Sequence, residues 1–452
     1  VLSNHNPAQC HFLNHGKRSM DLQAGLIPYF NAARWWIAYS GGLDSHVLLH
    51  RIAQLRDHDP QIPPLAAIHI NHQINPRAHE WAEHCREICA QLAIELRVEN
   101  VTVANNGDGI EAAARAARYA VFEHVIGDNE LLLQAHHRDD QIETLLLRLL
   151  RGSGIAGLAA IPEQRALGRG RLLRPLLNHT RAELIAYAQQ HELKWIDDDS
   201  NRDPHYDRNF LRLQVLPLLE QRWPAYRDTL ARVSEQATEA QLALDDLAAA
   251  DSASAISADG SLAIAGCRAL TPPRLYGVLR YWLLQRGLPL PSRQQLRQIV
   301  EALNAREDAE PCVQWPGVEV RRFRDHLYPM PPLLPSPAFD VAWQPPQPLT
   351  ITGIGTVQAT PQIGAGLRAD RDYRVRHRSG GERCKPLGRA HSQTLKKLLQ
   401  ASALPPWWRD RLPLIYCGDE IAAVGDLWVC EGFAAPAGQS GWDIEWLRVG
   451  TA

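Results

Sequence analysis

From residue 34 to about residue 150 the apolar positions repeatedly change their period. Short, β-rich runs are followed by longer runs with helical spacing. "RWWIAYS" predicts a strand and "HVLLHRIAQL" a helix. "PLAAIHI" is a strand before the helix "HEWAEHCREICAQLAI". "ELRVENVTV" is a strand before "EAAARAARYAVFEHVI", and "ELLLQAH" precedes "QIETLLLRLLRG". Strand–helix alternation implies parallel strands joined by right-handed crossovers. The fold class expected is therefore α/β, a doubly wound, mostly parallel sheet. "RLLRPLL" adds one extended segment and "TRAELIAYAQQHEL" one helix. The polar stretch "DDDSNRDPHYDRNFLR" then leads into a helix ending near Trp223.

Beyond that point the pattern changes twice. Residues 226–330 are Ala- and Leu-rich, then basic, and predict a mainly helical middle domain. Residues 331–349 are dense in proline and read as a stiff linker or extended crossing segment. Residues 350–452 predict a small α+β domain with one clear helix, "SQTLKKLLQASA". The first domain is taken as residues 20–225. Residues 1–19, ahead of Met20, are read as a leader or extension. No internal repeat is visible.

Composition narrows the class. The chain has 452 residues, more than one ordinary core accommodates, and is 45% hydrophobic and 22% charged. No apolar run has the length of a membrane span, and no signal-peptide pattern stands near the start. The eight cysteines contain no C-x-x-C. Cys85 and Cys89 lie one helical turn apart and read as half-buried packing rather than a redox or metal pair. A reducing, cytoplasmic compartment is expected. Net charge is −2, yet residues 368–411 hold twelve Lys/Arg against four Asp/Glu. A basic block on an otherwise acidic chain suggests either a polyanion-binding surface or a solvated charged face.

Three predicted strand ends carry polar clusters: S-G-G-L-D-S, H-I-N-H and A-H-H-R-D-D. Ligands of doubly wound sheets bind outside the carboxyl ends of the strands, so the clusters mark a site. Ser40-Gly41-Gly42-Leu43-Asp44-Ser45 links strand to helix. Glycines admit a ligand to backbone amides, and a helix N-terminus supplies free donors, so phosphate fits. There is no G-K-[ST], which excludes a Walker P-loop. Asp44 would repel phosphate directly, and makes sense beside a Mg²⁺ ion or an attacking cation. A plain N-cap reading of Ser and Asp stays open. In "AHHRDDQIETLLL", Asp140 and Glu143 share a helix face and suit a metal or an ammonium group. His136 suits a proton acceptor with a pKa near neutrality. Here too a cap reading stays open, with Asp139 or Asp140 as N-cap and Glu143 as capping-box partner. Arg115 and Arg118 stand on a helix after a glycine-rich loop and by themselves read as ordinary helix text, whereas Arg208 and Asn209 could reach a triphosphate or a polyanion.

Taken together these stretches resemble a known family. S-G-G-x-D-S after the first strand is similar to the PP-motif of the N-type ATP pyrophosphatases, which split ATP between its α and β phosphates. "HINH", "EAAARAARY", "AHHRDDQIETLLLRLLRGSG", "RPLL", "DDDSNRDPHYDRNFLR" and "KPLGRAHSQTLKKLLQASALPPWWRDRLPLIYCGDEIAAVGDLWV" resemble the tRNA(Ile)-lysidine synthetases. The resemblance runs from about residue 34 to residue 435. It departs at "QINPR" after His72, where Gly-Leu-Arg is usual, and at Gln393, where Arg is frequent.

The resemblance implies ATP as co-substrate, with Mg²⁺, free L-lysine, and an isoleucine tRNA with a CAU anticodon. The wobble cytidine is adenylated at its carbon-2 oxygen, and lysine then displaces AMP, leaving lysidine. Ser40, Gly41, Gly42, Leu43, Asp44 and Ser45 would bind ATP, Asp44 also taking the metal. Asp140 and Glu143 would hold the lysine ammonium and His136 take its proton. Arg115 and Arg208 would stabilise phosphate charge, and Lys385, Arg389, Lys396 and Lys397 would touch tRNA. Trp407 and Trp408 are expected to pack in a core rather than stack on bases. A homodimer is compatible with such a multidomain chain. Rival readings are a tRNA thiolase, an amidating ligase such as NAD or GMP synthetase, and a tRNA-binding scaffold with a vestigial ATP pocket. Against them stand the missing C-x-x-C, the missing glutaminase segment and the intact S-G-G-L-D-S.

Overall fold

The computed structural model describes residues 20–73, 75–103, 110–198, 202–306, 309–402 and 404–449. The proposed leader, residues 1–19, lies outside the described residues. The structure divides into two compact units between Leu242 and Ala243.

In the first unit a short helix, α1 (Gln23–Leu26), precedes strand β1 (Arg34–Ala38). The chain continues as α2 (Leu43–His58), β2 (Leu65–Asn71), α3 (Ala78–Gln91), β3 (Glu95–Asn100), α4 (Ile110–Val125), β4 (Glu130–Leu133) and α5 (Arg138–Leu150). The expected alternation is thus present element by element. β1 is buried on both faces, with Trp35 and Ile37 at 0% exposure and Trp36 at 6%. Trp35 and Ile37 pack with Leu48, Ile52 and Leu184 on one side. Trp36 packs with Phe122, Ile126 and Leu132 on the other. A strand covered on both faces has no polar side to show, which explains its unbroken apolar run.

A small helix α6 (Ile155–Leu158) leads to strands β5 (Gln164–Leu167) and β6 (Gly170–Leu173). The sheet order is β3-β2-β1-β4-β6-β5. All neighbours are parallel except β5 and β6, an antiparallel hairpin that the sequence pattern did not predict. From β1 the chain builds outward through β2 and β3, then crosses to place β4 on the other flank of β1. The crevice at the carboxyl ends of β1 and β4 is therefore the topological switch point. Helix α7 (Arg181–Gln190) starts with a Thr180–Glu183 capping box. The polar stretch after it folds into α8 (Asp207–Phe210), one π-turn (Leu211–Val215) and α9 (Leu216–Arg222), before the long α10 (Tyr226–Ser252).

The middle region corrects the expectation of a mainly helical domain. Helices α11 (Ile264–Arg268), α12 (Pro272–Gln285) and α13 (Arg293–Leu303) sit against a four-stranded antiparallel sheet. Its strands are β7 (Leu262–Ala263), β8 (Cys312–Trp315), β9 (Val318–Phe323) and β10 (His326–Met330). The strand signal of β9 is masked by charge. Glu319 and Arg322 lie buried in it, and Arg321 pairs with Glu319. Arg322 donates to the carbonyls of Ala302, Leu303 and Ala305, which closes the C-terminal end of α13.

The rest of the chain is largely antiparallel sheet. One sheet has five strands and another four, with two short helices among the described residues, Leu395–Ala401 and Pro406–Arg409. Part of the proline-dense segment, Asp340–Trp343, is itself an edge strand paired with Tyr373–Arg376. Trp343, Trp407, Trp408 and Trp446 share the core of this region. Trp407 and Trp408 are thus packed, as expected. Among the described residues no helix is long and apolar enough to cross a membrane.

Candidate active site

The turn after β1 is held by its two serines. Ser40 Oγ and Ser45 Oγ lie 3.0 Å apart, Ser45 Oγ donates to the Gly42 carbonyl (3.0 Å), and the Ser40 amide donates to Ser45 Oγ (3.2 Å). Gly42 is the N-cap of α2, and no side chain caps it. The plain capping role for Ser and Asp is therefore not what the turn shows. The first amides of α2 have no intrahelical partner and are free for an anion. Asp44 Oδ1 is buried without a hydrogen-bond partner, and Oδ2 lies 3.6 Å from His137 Nε2.

Gly41 has φ +86°, where a side chain is strained. A Cβ there would lie 2.7 Å from Ile196 Cδ1 and 3.1 Å from Cys85 Sγ. Gly41→Ala is expected to cost about 1–3 kcal/mol and to weaken ATP binding, because turn and side chain must both move. Thermal unfolding with and without ATP checks this; an unchanged thermal midpoint and unchanged ATP affinity would contradict it.

The loop after β4 faces this turn. His137 caps α5, and its amide donates to Asp140 Oδ2 (3.0 Å), so the capping box is His137/Asp140 rather than one using Glu143. Burial pulls the His137 pKa down, but Asp44, Asp140 and Asp139 together carry it above the ordinary value. Asp139 is a tie between elements, accepting from the Arg181 amide (2.8 Å) and from Arg227 Nε (2.9 Å).

Asp140 and Glu143 do share a face, but they do not form an open cation cradle. Arg208 reaches both, at 2.8 Å to Asp140 Oδ1 and 2.6 Å to Glu143 Oε2. Arg212 adds two bonds to Glu143, at 2.7 and 3.0 Å. Glu143 is fully buried, and a buried carboxylate without counter-charge is very costly. Arg208 on α8 and Arg212 on the π-turn that follows bring both guanidiniums to it. This corrects the free ammonium site expected at Glu143, and it places Arg208 on carboxylates instead of on open space.

His136 also departs from expectation. Burial lowers its pKa to about 3; Asp140 raises it, but Arg174, Arg208 and Arg115 push it further down. It is not an acceptor poised near neutrality, and Arg174 Nε already donates to its Nδ1 (3.3 Å). A cavity of ≈ 440 Å³ opens beside it, lined by Arg115, Tyr119, Arg165, Arg174 and Arg208 among others. The Arg115 and Arg165 guanidiniums stack on the Tyr119 ring at 5.1 and 4.6 Å. The chamber is strongly cationic and adjoins a phosphate-type turn, which suits a nucleotide or RNA backbone.

Comparison with known proteins agrees with this geometry. The family description "PP-loop domain" matches residues 16–219, "TilS substrate binding domain" residues 262–328, and "TilS substrate C-terminal domain" residues 373–446. The tRNA(Ile)-lysidine synthase of Coxiella burnetii is 44% identical over 416 residues, spanning 90% of this chain and 92% of that protein. That of Serratia proteamaculans is 43% identical over 420 residues, spanning 91% and 95%. The chain belongs to the tRNA(Ile)-lysidine synthase family. It is thereby an ATP-dependent ligase with a PP-loop ATP-binding domain.

Several residues of this family member escaped sequence reasoning. Arg212 follows Arg208 by four, and that helical spacing was a usable signal. Arg174 stands in the quoted "RPLL", but nothing in that run announces a buried guanidinium. His72 receives Arg118 Nη2 (3.4 Å) and lies apart from the cavity lining. Asn209 is a structural donor, to the Asp203 carbonyl (2.9 Å). Cys85 and Cys89 are fully buried rather than half-buried, and burial pushes both thiols up to about 12. They are inert packing residues.

In the basic block much of the charge is neutralised locally. Arg368 pairs with Asp370, Arg374 with Asp340, Arg378 with Glu382 and Asp410, and Lys385 with Glu431. Arg389, Lys396 and Lys397 are exposed, and form no ion pair among the described residues.

Three histidines tie the stability of this enzyme to pH. Burial lowers His46 to about 4, with His84 adding to it, and His72 to about 4, with Arg118 adding to it. His136 is lower still, at about 3. Unfolded, each titrates near its ordinary 6.5 and takes up a proton that the folded form refuses. Their contribution is complete above about pH 6.5 and is lost as pH falls toward 4. His137, raised, works in the opposite sense. The thermal midpoint is expected to fall from about pH 7.5 to pH 5, and His46→Gln to flatten that slope; a midpoint rising on acidification would contradict it.

Proposed function

We propose that this chain ligates free lysine to carbon 2 of the wobble cytidine of a CAU-anticodon isoleucine tRNA, with ATP cleaved to AMP and pyrophosphate. The observation that carries the mechanism is that the Ser40–Ser45 turn meets the start of α5 at Asp44 and His137 (3.6 Å), while the adjacent His136 lines the arginine-walled cavity. The turn amides and the α2 N-terminus take the ATP phosphates. The carbon-2 oxygen of the cytidine attacks the α-phosphorus and pyrophosphate leaves. The lysine amine then attacks carbon 2, and AMP departs with the oxygen.

Asp44 is the residue that would hold Mg²⁺, since its Oδ1 is buried, unpartnered and beside a phosphate turn. Mg²⁺ bound by one carboxylate and substrate phosphates supplies charge neutralisation on the leaving phosphates. Asp140 keeps the lysine-binding role. Each of its oxygens accepts one bond and has capacity for another, whereas Glu143 is closed off by three. Glu143 instead anchors Arg208 and Arg212. Arg115, exposed on α4, supplies positive charge for the adenylate.

The middle (226–330) and C-terminal (350–452) regions read tRNA features, and the enzyme works in the cytoplasm. Arg389, Lys396 and Lys397 contact tRNA phosphates, with Lys385 contributing less because Glu431 already pairs it. Lys396→Ala with Lys397→Ala is expected to weaken tRNA binding and to lower the salt slope by roughly one to two. Titrations over a range of salt check this; an unchanged slope removes both lysines from the interface.

The reading is tested by incorporation of labelled lysine into an isoleucine tRNA transcript with a CAU anticodon. Labelling that needs ATP and is absent on methionine tRNA is expected. AMP release without labelling would keep the ATP chemistry and discard lysine.

A further inference from the structure

Strand β6 ends at Leu173 and delivers Arg174 into the floor of the site. Arg174 is only 2% exposed, which is unusual for arginine. Its amide donates to the Glu163 carbonyl (2.9 Å), and its Nη1 donates to the Pro162 carbonyl (2.6 Å). Its Nε donates to His136 Nδ1 (3.3 Å). A guanidinium has donors only and keeps its protons at any pH a protein meets. Nδ1 of His136 must therefore be the accepting nitrogen. In a neutral imidazole the proton is then on the other nitrogen. Burial and the neighbouring Arg174, Arg208 and Arg115 outweigh Asp140 and keep the ring neutral. Nε2 has no protein partner among the described residues, and His136 lines the cavity.

We infer that Arg174 is a positioning residue that fixes His136 as the Nε2–H tautomer, a ready hydrogen-bond donor to a phosphate oxygen of the adenylate. This rests on the reading of the cavity as the adenylation site. His136 then works as a neutral electrophilic donor and not as the base that takes the proton of lysine. A donor already oriented by a locked partner needs no reorganisation when charge develops on the oxygen. A neutral imidazole that polarises an oxygen instead of moving a proton is a known strategy. Arg174 touches no reacting atom in this scheme; it acts only through His136.

The test is direct. Full-length protein labelled with ¹⁵N-histidine, without substrates, gives the protonation of each ring nitrogen, and His136→Gln assigns the signals. Nδ1 is expected unprotonated and Nε2 protonated, unchanged from about pH 6 to pH 8. Arg174→Met is expected to release the ring into mixed tautomers and to lower kcat about 10²-fold, with KM for lysine within about twofold. Arg174→Lys, which keeps a donor, is expected to recover part of kcat. A proton on Nδ1 in the wild-type enzyme would overturn the inference, and that result needs no variant to fold. An Arg174→Met enzyme that keeps both tautomer and kcat would overturn it as well. Loss of lysine incorporation in the wild type would sink the functional reading while the ring tautomer still reported on Arg174.

Discussion

Asp44→Asn is expected to lower lysine incorporation by about 10³-fold while leaving the fold intact. Asp44 sits in the first turn of α2, beside the amides that open the helix. Its Oδ1 is buried with no hydrogen-bond partner, so the carboxylate is held for something other than the protein itself. Asparagine keeps the shape but removes the charge and replaces one acceptor by a donor. The structure loses little, because its closest charged partner among the described residues is His137 at 3.6 Å, beyond a good hydrogen bond, and Arg212 interacts with it only through charge. AMP release and lysine labelling should both vanish, and thermal unfolding should shift little. Retained AMP release in Asp44→Asn would remove Asp44 from the phosphate chemistry.

Glu143→Gln is the second large effect, and it falls on stability. Glu143 is fully buried and accepts three bonds from Arg208 and Arg212. Glutamine would leave two guanidiniums facing each other with only Asp140 between them. Removing one partner of a buried pair costs about 3–5 kcal/mol; the arginine side chains are about a quarter exposed, so about 3 kcal/mol is expected. The double change Glu143→Gln with Arg212→Gln should cost less than the sum of the two singles, because removing the charge it balanced relieves the strain. Thermal unfolding of the single and double variants reads this. Additive losses would show that the three residues do not act as one network. Activity should fall in Glu143→Gln too, since Arg208 would lose its anchor.

Much of this was legible in the sequence because the physics is local. A strand buried on both faces must be apolar throughout, so "RWWIA" and "ELLL" announced the parallel sheet. A glycine pair between strand and helix announced a tight turn, and Gly41 takes φ +86° there. What stayed hidden depends on partners distant in sequence. Arg322 sits mid-strand because α13 needs its last carbonyls closed, so charge disguised a strand as helical or loop text. The extended segment "RLLRPLL" was read, but its antiparallel partner β5 was missed because Gln164 and Arg165 leave that short strand without an apolar pattern. At the site, residue types were readable but their pairing was not. Two carboxylates at i and i+3 look alike whether they await a ligand or already hold two arginines. Likewise, nothing in "AHHRDD" tells which histidine is the buried cap and which borders the cavity.

In the proposed reaction one cavity carries out adenylation first and lysine transfer second. It is tested most directly by supplying α-³²P-labelled ATP and the CAU isoleucine tRNA without lysine, then adding lysine. Label is expected to be bound covalently to the tRNA at the wobble cytidine and released as AMP once lysine is added. Label that never joins the tRNA, or that leaves only as ADP, would contradict it.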